Sequence, residues 1–488
     1  MKENQRIAII GAGVGGLSAA ARLSFRGFDV DVFEKLDRCG GRNNLIEDKG
    51  FKFDTGPSFV LMPDFFEEVF LDCSEKMSDY LDLKVLETNY KIFYSDGDVF
   101  SVFKDLEKTK AEIERFEQGG SIGFDEFIKK TENFYKAVRP LLFKCFTKKA
   151  LLNPRYWKLL FQLEPFSTYW NLARKFFKNE KLCYAFTFEA MFMGVSPFEA
   201  PAFYSIISYA DHIQKIAHPM GGMYEIPKAL EKIAIKNGAK FHYNSEVKMI
   251  YPRSGQICMQ VKGESQMFDK VIINADYAYV QEKLLKRKIP DYQYSCSVFL
   301  LYLGLKEKLK NLDHHNLFFA DDLRKNLNDI FKTSSVSLDP SFYVHVPTVT
   351  DLTLAPKGKE IAYILIPVPN LEMKKDDMGE FESRMKEIVF EKINQVTGQN
   401  IESLIEVEHK FYPNDFIARY NIKNGATFGL AHNLFQSAFF RPPNIDSKNK
   451  NIFYVGASTQ PGGGLPVVMA SSKIVSDIIS EEKQESHF

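Results

Sequence analysis

Gly11, Gly13, Gly15 and Gly16 fall within six consecutive residues, and an acid, Glu34, stands eighteen residues after the last of them. Glycines at this spacing let a chain turn tightly and admit another molecule against the backbone, and an acid at that distance can accept hydrogen bonds from a diol. Cys39-Gly40-Gly41-Arg42 follows at once, and Gly50–Ser58 soon after. These residue types suit the binding of a phosphate-linked dinucleotide. Small residues allow close approach, N–H groups meet phosphate oxygens, Glu34 meets ribose hydroxyls, and Arg42 adds a permanent cation within reach of a diphosphate or flavin oxygen.

The elements that must position them can be read locally. Arg6–Ile10 is a short buried strand, residues 11–16 turn the chain, Leu17–Arg26 continue as a helix, and Phe28–Phe33 form a second strand that Glu34 closes. In this βαβ unit Gly11 makes the turn, Gly13 admits a pyrophosphate beside Val14 and Gly15, and Gly16 lets helix and strand pack closely. The helix N-terminus directs free N–H groups and partial positive charge at the phosphates. The unit alone leaves NAD and FAD open. The second glycine pair with Gly41 and Arg42, and then Gly56-Pro57-Ser58, has no counterpart in the needs of a nicotinamide domain, and favours FAD.

Further along, residues 75–180 have a mostly helical pattern, Tyr224–Asn237 is an amphipathic helix, and Lys240–Val247 and Phe268–Ala275 are strands, the latter ending in Asn274-Ala275-Asp276. Residues 290–420 alternate short apolar runs with turns, as an antiparallel sheet would. Asn451–Gly456 is a last strand. A glycine-rich turn through Gly464, Leu465 and Pro466 then opens a final helix to about Ile479, whose N-terminus suits the anionic edge of a reduced flavin. The expected fold is α/β: a discontinuous Rossmann-like FAD-binding domain (1–74, 217–290 and 425–488), a helical, membrane-facing lobe (75–216) and a substrate domain with an antiparallel sheet (291–424).

The chain has 488 residues, with 63 Lys+Arg against 63 Asp+Glu. That balance argues against a general nucleic-acid binder. Six scattered cysteines, without CxxC spacing, fit a reducing compartment; Cys39, inside the glycine cluster, is the one that could carry a reactive or cofactor-linked thiol. The N-terminal apolar run imitates a signal peptide, but its glycines would break the signal helix. No apolar stretch reaches the ~18–20 residues needed to span a bilayer. Residues 140–178 hold eight Lys/Arg, a single acid (Glu164) and both tryptophans, Trp157 and Trp170. Aromatics interleaved with cations suit a helix pair lying in the headgroup layer. The expected location is peripheral, on the cytoplasmic side of a membrane. No Ser/His/Asp triad or metal-ligand spacing stands out. His314-His315 reads as a turn or core feature, and no catalytic residue is assigned; Asp54 and Asp276 end flavin-domain segments without a clear catalytic part.

Seven segments together resemble the bacterial phytoene-desaturase-type carotenoid desaturases: Arg6–Arg42, Gly50–Ser58, Val195–Gly222, Ser341–Thr348, Leu365–Asn370, Gly425–Pro442 and Tyr454–Pro466. Phe435–Pro442 (FQSAFFRP) is the most specific of them. The resemblance implies an FAD enzyme that withdraws hydrogen from a lipid-soluble polyene, peripheral to a membrane, with the segment ending in Val247 at the adenine. The implied cofactor contacts are Gly11, Gly13, Val14, Gly15, Gly16, Glu34, Lys35, Gly41, Arg42, Gly56, Pro57, Ser58, Val247, Asn274, Asp276, Gly456, Gly464, Leu465 and Pro466. Without a second nucleotide site, quinone or oxygen is the expected electron acceptor. A carotenoid cis–trans isomerase, an amine oxidase and a prenyl-binding chaperone on the same fold are the competing expectations; retention of Glu34, Arg42 and the Gly462–Gly464 turn speaks against the chaperone.

Overall fold

The computed structural model describes residues 5–146, 153–333, 335–372 and 378–485. At its centre lies a parallel five-stranded sheet in the order Ile452–Tyr454, Lys270–Ile273, β1 (Arg6–Ile10), β2 (Asp29–Phe33) and Lys240–His242. All four pairings are parallel. The sheet is therefore drawn from both ends and the middle of the chain. Alternation along β1 divides its side chains between two cores. Ile7 and Ile9 join the helix α1 (Val14–Phe25), while Ala8 and Ile10 join Val247, Ile257 and Phe268 of a small antiparallel sheet on the other face. Helix α1 is buried almost all round because it is flanked by Glu225–Lys236 and Leu465–Glu485, and its Ala19-Ala20-Ala21 run allows that close approach.

A second, seven-stranded sheet runs Ile405–Phe411, Ser297–Leu305, Glu360–Val368, Phe342–His345, His315–Phe318, Thr88–Phe93, Val99–Phe103. Its pairings are antiparallel except the parallel contact of 315–318 with 88–93. Ser297–Leu305 is buried at every position, as its continuous apolar run requires of a central strand.

The structure corrects several local expectations. The stretch 75–180 is not mostly helical at its start: Thr88–Phe93 and Val99–Phe103 form a hairpin that extends the large sheet. Lys240–Val247 is interrupted at Tyr243–Glu246, so that Val247 begins a strand of the neighbouring sheet. The interruption exists because Ser245 N–H bonds back to the Glu34 carbonyl, pulling this loop across the end of β2. The last helix reaches Glu485 instead of Ile479. Of the aromatic–basic segment 140–178, residues 147–152 lie outside the described residues. Trp170 is buried against Tyr184 and Phe198 and is no membrane anchor, whereas Trp157, Phe161 and Phe166 are 45%, 66% and 81% exposed. Among the described residues, no helix is long and apolar enough to cross a membrane.

Candidate active site

A large cavity runs from the C-terminal ends of β1 and β2 into the space between the seven-stranded sheet and the helices of residues 180–207. All the sequence-derived contact residues border it except Gly16. Gly16 is needed for a different reason. A Cβ there would sit 2.1 Å from the Gly11 carbonyl oxygen, so the residue closes the turn and leaves the ligand to its neighbours. Gly11 itself has φ +95, in the left-handed region.

The nucleotide end is built on backbone groups. Helix α1 begins at Gly13 with no side-chain cap and no acid in its first turn, so its free N–H groups meet the cavity beside Val14 and Gly15. Glu34 is buried, and each of its carboxylate oxygens is fixed by an amide: Oε2 accepts from Ala12 N–H at 2.7 Å and Oε1 from Leu36 N–H at 2.8 Å. Burial raises its pKa, and these amide bonds oppose the rise. Lone pairs remain on both oxygens for a vicinal diol. Arg42 reaches across the cavity to the Thr427 carbonyl at 2.7 Å, and Lys35 turns its ammonium to the Ala418 carbonyl at 2.6 Å. Lys35 thus borders the site through its stem and does not offer its charge to a phosphate. Asp276 caps the short helix Tyr277–Tyr279 and accepts from Ser458 at 3.4 Å. Asp54 lies away from the cavity. Its carboxylate accepts from the Met223 and Tyr224 amides at 2.8 and 3.0 Å, and burial pushes its pKa up to about 6; its task is to hold the Gly221–Gly222 turn. A cradle of uncapped helix amides, a buried diol acceptor and a glycine-lined wall fits an adenine dinucleotide with a further ring system beyond it.

Two residues not foreseen from the sequence shape the far end of the cradle. His432 Nε2 accepts from Gly463 N–H at 3.1 Å, which obliges Nδ1 to carry the proton it donates to the Met193 carbonyl, also at 3.1 Å. Arg441 is buried and donates to four carbonyls, those of Thr459, Gln436, Leu430 and Ala457. Burial brings its pKa down to about 10. It clamps the 456–464 loop, which explains an arginine in the otherwise apolar Phe439–Pro442 stretch. Cys39 is buried beside Tyr224, and burial raises its thiol to about 12, so it is not a nucleophile.

Beyond the loop the cavity turns apolar, lined by Phe188, Met191, Phe192, Leu317, Phe319 and Leu327 among others. Behind this wall sits a buried acid pair. Glu189 accepts from Ser208 at 2.8 Å and Tyr169 at 3.0 Å, and Asp211 accepts from Asn89 at 2.9 Å. Burial pushes Glu189 up to about 7 and Asp211 upward as well, the Glu189 charge adding to the latter. A raised carboxyl pKa makes the folded state the better proton binder. The stability from Glu189 is present below its ordinary value of 4.5 and is lost as pH rises through about 7. Denaturant melts at pH 5 and pH 8 should therefore show Glu189→Gln gaining on the wild type as pH rises, by at most about 3 kcal/mol. Parallel pH dependence of the two proteins would refute this.

The flavin containing amine oxidoreductase family matches residues 14–479. The chain belongs to that family. It is 38% identical, over 97% of its length and 94% of the relative's, to a zeta-carotene-forming phytoene desaturase of Myxococcus xanthus. It is 34% identical, over 98% and 99%, to a 4,4'-diapophytoene desaturase (4,4'-diaponeurosporene-forming) of Staphylococcus haemolyticus. An oxidoreductase from Methanosarcina mazei shares its fold, with TM-score 0.66 at 18% identity over 97% of this chain and all of that one. This flavoenzyme belongs with the carotenoid desaturases of the family, as the resemblance in its seven segments implies.

Proposed function

We propose that the protein is an FAD-dependent carotenoid desaturase acting on phytoene or a related acyclic polyene, including C30 or hydroxylated forms. One observation carries the reading: the nucleotide cradle opens without a break into an apolar cavity between the large sheet and the 180–207 helices. An amine substrate would require charged or polar partners there; a polyene requires contact surface and dryness. FAD, held by the uncapped helix amides, Glu34 and the 456–466 loop, supplies the two-electron acceptor. The contacts named above from Gly11 to Pro466, Gly16 excepted, are proposed as its binding residues, in a unit formed by 1–74, 217–290 and 425–488, with 291–424 and 75–216 enclosing the substrate.

The substrate loses a hydride and a proton from adjacent carbons, and its own conjugation spreads the charge. The chain's contribution is positional. Stiff aromatic and branched walls hold the rod, His432 and Arg441 keep the loop facing it in one shape, and water is kept out. The sequence offers no second nucleotide site, so quinone or oxygen is proposed as the acceptor; reoxidation of the reduced protein by NAD(P)+ at a rate matching quinone would contradict this.

A membrane-surface location is proposed on the exposed aromatic side chains. Trp157 and Phe161 stand on the helix Pro154–Gln162 and Phe166 follows it. The loop bearing exposed Phe435 and Phe440 adjoins this helix, since Phe439 meets Tyr156 edge to face at 5.7 Å. Such a patch suits the acyl–headgroup boundary. A single preparation tests both points: holoenzyme mixed with anionic liposomes containing phytoene, a C30 analogue or a hydroxylated carotene. The protein should float with the vesicles, and product masses should fall by two hydrogens per step. Altered retention at unchanged mass would make it an isomerase, and absence from the floating fraction would remove the membrane proposal.

A further inference from the structure

Outside the cavity, the tertiary structure gathers histidines that lie far apart in the chain. His218 lies on the strand Ala217–Pro219, His314 just before the strand His315–Phe318, and His345 at the end of Phe342–His345. One ring nitrogen from each of the three lies within 4.8 Å of the others. All three side chains are buried, His218 completely.

Their orientation is set from outside the cluster. His314 Nδ1 lies 2.7 Å from the Thr350 hydroxyl, and a proton on Nδ1 donated there leaves Nε2 bare and facing inward, 2.9 Å from His345 Nε2. Asp351 is fixed by the Gly221 amide at 2.6 Å and the Thr353 hydroxyl at 2.6 Å, and its Oδ2 lies 3.6 Å from His218 Nε2. A hydroxyl and a carboxylate behind ligating imidazoles are the partners that orient metal-bound histidines. His218 supplies the independent observation. Its Nε2 meets Asp351 only at 3.6 Å, beyond hydrogen-bond reach, and its Nδ1 has no polar partner at all, although the side chain is fully buried. An unpaired buried polar group of that kind calls for a missing partner. A tetrahedral ion with nitrogen at about 2.0–2.1 Å separates its ligands by about 3.3 Å, between the shortest spacing here and the widest.

We propose that His218, His314 and His345 bind one divalent transition ion of zinc's class, with a water at the fourth position and Asp351 balancing its charge. The ion would tie the strand leading from the helical region to two strands of the large sheet. The consequence reaches the cavity. Neighbouring His315 Nδ1 is 2.6 Å from the Tyr343 hydroxyl, which donates to Ser58 at 2.9 Å, and both Tyr343 and Ser58 border the cavity. The proposal does not depend on which polyene is the substrate, nor on flavin chemistry.

The test uses untagged full-length holoenzyme, equilibrated with zinc and then passed through metal-free buffer. Metal analysis should return about one zinc per chain, and cobalt(II) in its place should give tetrahedral ligand-field bands at wavelengths beyond the flavin absorption. His218→Phe and His345→Gln should each lose those bands and bind zinc at least about 100-fold more weakly while keeping the flavin spectrum. The wild-type measurement decides even if a variant fails to fold. Less than about 0.1 zinc per chain, no cobalt bands and a Tm unmoved by zinc would overturn the proposal. So would equal zinc retention in well-folded variants.

Discussion

Glu34→Ala protein should purify colourless, or nearly so, and should bind added FAD at least about 100-fold more weakly than the wild type. The proposed ribose contacts are hydrogen bonds to a carboxylate, each worth about 1.5–3 kcal/mol, and both vanish together. The change also orphans the Ala12 amide, which donates to Oε2 at 2.7 Å within the turn, and frees the Leu36 amide that fixes Oε1. The loss therefore has two parts, one in the ligand contact and one in the cradle's shape. Glu34→Gln separates them. It keeps an acceptor and the side-chain volume, and should retain more flavin than the alanine variant. Flavin released by denaturation, set against protein concentration, reads the first effect, and fluorescence titration with FAD reads the affinity. Circular dichroism should show the βαβ unit intact. An alanine variant that stays yellow with wild-type affinity would refute the placement of the nucleotide at the end of β2.

The second large effect concerns the other end of the cavity. Leu365→Arg should abolish polyene turnover, by at least about 100-fold in kcat/KM, while leaving FAD content near that of the wild type. Leu365 is half-buried on the central strand Glu360–Val368, opposite Leu300 and Tyr343, and borders the cavity. A guanidinium here would enter a site that must hold hydrocarbon, and desolvating an unpaired cation costs several kcal/mol. Leu365→Met conserves volume and should remain close to wild type, since such swaps cost under about 1.5 kcal/mol. Assays in liposomes with matched flavin content separate substrate loss from cofactor loss. If the arginine variant desaturates at the wild-type rate, the polyene does not pass this strand, and the proposed substrate path is wrong. If both variants lose flavin, the strand supports the cofactor and the two halves of the site are not separable as proposed.

Some of this architecture is legible in residues close together in the chain. The turn at Gly11–Gly16, the strands on either side and Glu34 at the end of β2 follow from local rules: period-two burial, helix initiation at a glycine, and steric room for a carbonyl 2.1 Å from where a side chain would begin. The glycine turn before the last helix is legible for the same reason. The chemistry of such a site is carried by backbone groups, and backbone groups are positioned by short-range geometry.

What the sequence left open depends on partners far away along the chain. The strands 88–93 and 99–103 resemble the helical stretch around them until they pair with each other and 88–93 pairs with 315–318, more than two hundred residues on. Trp170 has the composition of a membrane anchor and is buried by Tyr184 and Phe198. Asp54 and Asp276 end similar segments, yet one holds a turn by its amides and the other borders the cavity. His314-His315 shows no ligand spacing by itself, because its companions stand at 218 and 345 on other strands. The glycine cradle and its acid were written into one short stretch of chain, since a tight turn and the two adjacent strands it joins dictate them. The apolar cavity and the histidine cluster came only with the packed sheet, because side chains become neighbours there through pairing that no local period encodes.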